Sequence, residues 1–117
     1  MSLDDETRYR LLKALEANPE LTQRQLAAEL GVSVGKTNYC LKALVNKGWI
    51  KVGNVRRNPN KWSYGYLLTP SGIQEKARVT RRFLARKRAE YEALEQEIEQ
   101  LRAEVEAEAP AGAGQDH

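Results

Sequence analysis

Apolar residues recur three and four apart in three short blocks at the start of the chain, and polar residues mark where each block begins and ends. Over residues 4–17, Leu11, Leu12 and Leu15 fall on one helical stripe. The acidic opening Asp4, Asp5 and Glu6 suits the positive end of a helix. Asn18-Pro19 ends this helix, since the residue before proline is pushed towards extended backbone. Thr22 caps a short second helix, Gln23 to Leu30, with Leu26, Ala27 and Leu30 on its inner side, and Gly31 stops it. After the step Val32-Ser33, Ser33 caps a third helix that runs to Lys47, where Gly48 terminates it; Thr37, Cys40, Leu41 and Leu44 form its inward stripe. Two short helices joined by such a turn form a helix-turn-helix.

The period then changes. In "WIKVGNVRRNPNKWSYGYLL", Ile50 and Val52 alternate with Trp49 and Lys51, and Tyr64, Tyr66 and Leu68 share a face beyond the turn-rich "GNVRRNPN". This predicts a two-stranded hairpin with a basic tip. Thr69 then caps a last helix with Pro70 at its first position. The fold class that follows is mainly α with a small β-hairpin. A winged helix-turn-helix domain occupies residues 1–69, a long C-terminal coiled-coil helix 70–108, and a disordered tail of small residues 109–117.

The last helix carries a heptad seam. Ala77, Thr80, Leu84, Lys87, Tyr91, Leu94, Ile98, Leu101 and Val105 recur at alternating steps of three and four over roughly 40 Å. Tyr91, Ile98 and Val105 fall at a and Leu94 and Leu101 at d, a combination that favours a parallel pair. The flanks are divided on orientation, because Glu97 would meet Arg102 of the partner while Glu90 would meet Glu95. Leu84, Tyr91, Leu94, Ile98, Leu101 and Val105 are thus the expected homodimer interface. The competing reading is one amphipathic helix folded back on its own domain.

Charge sharpens the picture once it is divided. The net charge is only +3, but residues 1–89 hold 18 Lys and Arg against 7 Asp and Glu, net +11, and residues 90–117 hold 1 against 9, net −8. A body this basic predicts a polyanionic partner. On the third helix the side opposite the apolar stripe carries Gly35, Tyr39, Lys42 and Asn46, with Lys36 and Asn38 beside them. These residues are free to enter the major groove of double-stranded DNA, which admits one α-helix. Lys42 and Asn38 would bond base edges or phosphates, Tyr39 would reach sugar or phosphate, and Gly35 would let the backbone approach closely. The amides opened by the caps Thr22 and Ser33, with Gln23 and Arg24 beside the former, would anchor phosphates. Arg56, Arg57 and Lys61 at the hairpin tip would enter a minor groove; the bland alternative is a solubilising loop. The cluster Arg78, Arg81, Arg82, Arg86, Lys87 and Arg88 is open between phosphate contact, a solvated face and pairing with the acidic tail.

Other chemistries find little support. Gly35-Lys36-Thr37 resembles the end of a phosphate-binding loop, but Gly31 precedes Gly35 by one residue too few and Leu30 stands where the first glycine belongs. The lone Cys40 excludes an internal disulfide, and its apolar stripe favours an inert thiol over a redox sensor. The only histidine, His117, lies in the tail, so neither a catalytic triad nor a metal site can be assembled, and no cofactor or enzymatic activity is expected. "MSLDDETRYR" lacks the layout of a signal peptide and no apolar run is long enough to span a bilayer. A cytoplasmic protein without a membrane partner is therefore expected.

The stretch "LTQRQLAAELGVSVGKTNYCLKALVNKGWIKV", the exit "YLLTPSGI" and the run "EYEALEQEIEQLRAE" resemble MarR-type bacterial transcriptional regulators, most closely the small branch associated with exopolysaccharide gene clusters. The resemblance covers residues 4 to about 105 and implies a dimeric DNA-binding regulator that reads the major groove with Ser33 to Lys47 and the minor groove with the Arg56 to Lys61 wing. The wing "VRRNPNKWSY" lacks the Asp-x-Arg pair usual in that family. No helix precedes the core, so a small-molecule effector site between two dimerising ends is not expected. The alternative function is a winged helix used for protein contact within an assembly.

Overall fold

A computed structural model describes residues 4–108, with the side chains of Arg57 and Asn58 outside the description; the tail expected over 109–117 lies beyond it. The order is α1 (Asp5–Ala17), α2 (Gln23–Leu30), α3 (Val34–Asn46), β1 (Ile50–Asn58), β2 (Lys61–Leu68) and α4 (Pro70–Glu108). Two compact units divide it, the first ending at Phe83 and the second starting at Leu84.

Each helix begins where a side chain can take up a stray amide. Asp4 is itself the cap of α1, its carboxylate accepting from Thr7 N–H at 2.7 Å, so that Asp5 and Glu6 form the acidic first turn. Thr22 forms a reciprocal box with Gln25, which the sequence reading missed: Thr22 Oγ1 accepts from Gln25 N–H at 3.1 Å and Gln25 Oε1 accepts from Thr22 N–H at 2.8 Å. Ser33 Oγ accepts from Lys36 N–H at 3.0 Å to open α3. The ends of α2 and α3 are closed by glycines with positive φ, Gly31 at 70° and Gly48 at 77°. At the second, Trp49 N–H reaches Leu44 O and Gly48 N–H reaches Val45 O, which satisfies two carbonyls that the helix leaves over.

The core sits among α1, α2, α3 and the root of the hairpin. Leu11, Leu12, Leu15, Leu26, Leu30, Cys40, Leu41, Leu44 and Ile50 are buried together. Each large side chain so buried contributes roughly 1.5–3 kcal/mol. The inward stripes of all three helices fall where their spacing puts them.

The strands are longer than the turn-rich sequence suggests. They pair antiparallel from Ile50↔Leu68 out to Asn58↔Lys61, with a bulge between Arg56 and Asn58, so the tip shrinks to Pro59-Asn60. Ile50, Val52, Tyr64, Tyr66 and Leu68 do share a face, yet only its root is buried, for Val52 is 54% and Tyr64 72% exposed. Val55, part of the turn-rich stretch in the sequence, is buried. Strand twist accounts for both differences. Ile50 and Leu68 face the core at the root, and farther out the opposite face turns inward. There a Cβ on Gly65 would lie 2.5 Å from Pro19 O and 2.6 Å from Val55 Cγ2.

The start of α4 is held by Thr69, whose Oγ1 accepts from Gly72 N–H at 3.0 Å and donates to Gly48 O. Gly72, Glu75 and Val79 form the buried stripe of these turns, whereas Ala77 and Thr80 are exposed. Glu75 is buried between Arg8 and Arg78, at 2.8 Å from each. Arg8 also lies over the Trp49 ring at 4.8 Å, and Tyr9 stacks on Phe83 with ring centres 5.2 Å apart. In the second unit Leu84, Tyr91, Leu94, Ile98, Leu101 and Val105 are all between 45% and 68% exposed.

Candidate nucleic-acid interface

The helix-turn-helix is locked by one polar cluster. Gln23 Nε2 donates to Tyr66 Oη at 3.1 Å and to Asn38 Oδ1 at 3.4 Å, tying the first turn of α2 to α3 and to β2. Of the expected contact residues, Gln23 and Asn38 are therefore brought together and half-buried, while Thr22, Arg24, Ser33, Gly35, Lys36, Tyr39 and Lys42 stand exposed. Tyr66 is the member of this cluster that sequence reasoning did not find. Its only signal was an i, i+2 relation to Tyr64, which says nothing about a partner on α2.

Thr37 decides what Gly35-Lys36-Thr37 is. These residues form the first turn of α3, and Thr37 is fully buried, its hydroxyl donating to Ser33 O at 3.0 Å. A phosphate loop needs that hydroxyl on a magnesium ion and a strand leading in; here it is spent on the helix and α2 leads in. An alanine Cβ at Gly35 would meet only Ser33 Oγ, at 3.9 Å, so nothing within the chain calls for glycine there.

On the wing, Arg56 and Lys61 are exposed and Arg57 lies on β1 at the bulge. Arg56 stacks over Trp62 at 4.9 Å, the residue paired across from it. Trp62 was not singled out from the sequence, although the Arg-aromatic pairing follows from the register. The basic cluster of α4 is partly committed to structure: Arg78 pairs with Glu75, Arg82 with Asp5 at 3.1 Å, and Lys87 with Glu90 at 3.4 Å. Cys40 is buried, and desolvation raises its pKa above the ordinary value, the Lys36 charge opposing and the Asp4 charge adding to it. The thiolate is thereby disfavoured, as the inert reading requires. Among the described residues no group of three or more His, Cys, Asp or Glu is placed to hold a metal, and no helix is long and apolar enough to cross a membrane.

A capped α2, a glycine turn, an α3 with an apolar inner and a polar outer side, and a twisted hairpin behind it make up one arrangement. It is a winged helix. Residues 4–51 match the family model described as winged helix-turn-helix DNA-binding. The crystal structure of the S. aureus MepR–DNA complex is similar with a TM-score of 0.63 at 23% identity, over 92% of this chain and 75% of that one. A MarR/EmrR family transcriptional regulator from Acinetobacter sp. ADP1 gives 0.58 at 19% identity, over 86% and 75% of the two chains. The PcaV transcriptional regulator from Streptomyces coelicolor gives 0.57 at 20%, over 86% and 77%. At these identities the likeness is one of fold. Comparison with curated proteins finds no match.

Proposed function

We propose that this winged helix protein is a transcriptional regulator that binds duplex DNA sequence-specifically as a homodimer. One observation carries the reading. Between Glu29 and Glu75 the chain holds seven Lys and Arg and no carboxylate side chain, and this stretch forms α3 and the wing. A helix-turn-helix whose outer side is polar and cationic suits a groove lined by phosphates, where Lys36, Tyr39 and Lys42 contact bases or backbone. The capped N-termini at Thr22 and Ser33 offer amides to phosphates, and Arg56, Arg57 and Lys61 of the wing reach the minor groove. A relative of the same fold, MepR, crystallised as a DNA complex, which supports the same partner here.

Dimerisation is assigned to Leu84, Tyr91, Leu94, Ile98, Leu101 and Val105. Half-exposed apolar residues on a heptad seam call for a second helix. A two-fold dimer then requires a near-palindromic operator with half-sites about 34 Å apart. The sequence resemblance makes exopolysaccharide gene promoters the first operators to test, in a cytoplasmic protein. Fluorescence anisotropy over a salt series provides the measurement, with log affinity falling by about 0.9 per phosphate contact. Lys42→Ala is expected to weaken operator binding about tenfold or more. A flat salt response, or a Lys42 variant that binds like the parent, would sink the groove assignment.

A further inference from the structure

Arg56 and Trp62 face each other in the last regular pair of the hairpin before its bulge, and the guanidinium carbon lies 4.9 Å from the centre of the ring. Both side chains are exposed, the indole to 61%. A guanidinium beside a carboxylate commits its N–H groups to that partner and has its charge offset by it. Over a ring it is held by one face, and its five N–H donors stay free around the edge of the plane. Residues 30–74 include no carboxylate side chain, so the wing supplies Arg56 with a ring and not with a counter-ion.

The pair lies on the same face of the ribbon as the polar cluster of the helix-turn-helix. Val52 with Tyr66, Asn54 with Tyr64 and Arg56 with Trp62 are successive rungs on that face. At the inner rung Tyr66 meets Gln23 of α2, which in turn meets Asn38 of α3. Trp62 lies four residues beyond Tyr66 along β2, about 13 Å, which compares with the width of a major groove, about 12 Å. A wing of that reach, beside a helix in the major groove, meets the neighbouring minor groove. There a flat, weakly hydrated cation is drawn most strongly where the groove is narrow, as it is over A-tracts, whereas a phosphate contact is indifferent to sequence. An unsupported arginine gives up its side-chain freedom on entering, and one already stacked has given up part of it beforehand.

We infer that Trp62 is a positioning residue: it holds the Arg56 guanidinium ready for the minor groove, and the protein thereby prefers operators whose flanks carry A-tracts. The role rests on the proposed duplex binding and adds to it a residue and a sequence preference.

The probe is a duplex selected by the full-length protein from a random-sequence pool, remade with the same centre and either A-tract or G·C-rich flanks, and followed by anisotropy. The parent should prefer the A-tract flanks about fivefold or more. Trp62→Ala should reduce that preference about two- to fivefold, and Trp62→Phe, which keeps a ring face, should retain most of it. Arg56→Lys should keep the salt slope of the parent, since the charge remains, and lose the preference, since the plane is gone. In an Arg56→Ala background, Trp62→Ala should change the preference no further. A parent indifferent to its flanks overturns the proposal while leaving duplex binding in place. An equal loss for both duplexes on Trp62→Ala overturns it too, because a ring that only braces the hairpin would weaken both alike. So does an undiminished effect of Trp62→Ala without Arg56, which would make the indole itself the contact. If the parent selected no duplex at all, the duplex reading would fall and this role with it.

Discussion

Two glycines on helices illustrate how differently one residue type can be used. Gly72 is required by packing: a Cβ there would stand 1.8 Å from Trp49 O, a backbone atom that cannot swing away. Gly72→Ala must therefore shift the start of α4 off Trp49, the residue before β1. It is expected to cost at least about 2 kcal/mol and to lower the melting temperature by roughly 10 °C, measured by circular dichroism. An unchanged melting temperature would mean that Thr69 and Gly72 do not seat the helix as described. Gly35 meets no such neighbour, and in a helix alanine is the better residue by up to about 1 kcal/mol. Gly35→Ala is expected to raise stability slightly while weakening duplex binding, because on the proposed docking the new methyl would stand between the helix backbone and the groove. If both quantities rose together, close backbone approach at Gly35 would be refuted. Thr37 belongs to the same scale. Its burial, foreseen from the stripe Thr37, Cys40, Leu41 and Leu44, is what separates a helix turn from a nucleotide loop.

Among the elements, the helices were legible because each rule that forms them acts within a few residues. Caps at Thr22 and Ser33, stops at Gly31 and Gly48, and the inward stripes of α1, α2 and α3 could be read from local residue pattern. The hairpin was legible in kind but not in burial. Which side of a ribbon faces the core depends on twist and on what lies beneath it, here Pro19 O under Gly65, and neither is written in the strand. The same limit hid the Gln23–Asn38–Tyr66 cluster and the burial of Glu75, since both need partners brought from distant parts of the chain. The heptad pattern of the second unit is local again, and its apolar residues are exposed. Ile98→Asn combined with Leu101→Asn places two amides at adjacent a and d positions and should convert a dimer to monomers in light scattering. Operator affinity should fall at the same time, because two half-sites would no longer be held by one molecule. A double variant that remained dimeric would assign the contact to another surface.

At the scale of the whole molecule, the division of charge has a consequence for selectivity. Residues 1–89 carry a net +11 and residues 90–117 a net −8, so a polyanion meets attraction and repulsion from different stretches of one chain. Non-specific duplex binding rests almost wholly on phosphate contacts, while specific binding adds base contacts. On the proposed duplex reading, negative charge on the chain subtracts proportionally more from the non-specific mode, and salt screens the effect. Glu92, Glu99 and Glu106 recur every seven residues on α4, off the line of Tyr91, Ile98 and Val105, and are exposed. Replacing these three by glutamine should leave the oligomeric state unchanged and tighten binding to a random-sequence duplex more than binding to the operator. The ratio of the two affinities, followed by anisotropy at rising salt, is expected to converge on that of the parent as screening removes the difference. If the triple variant bound both duplexes with the parent's ratio at low salt, the acidic stretch would have no part in discriminating between them.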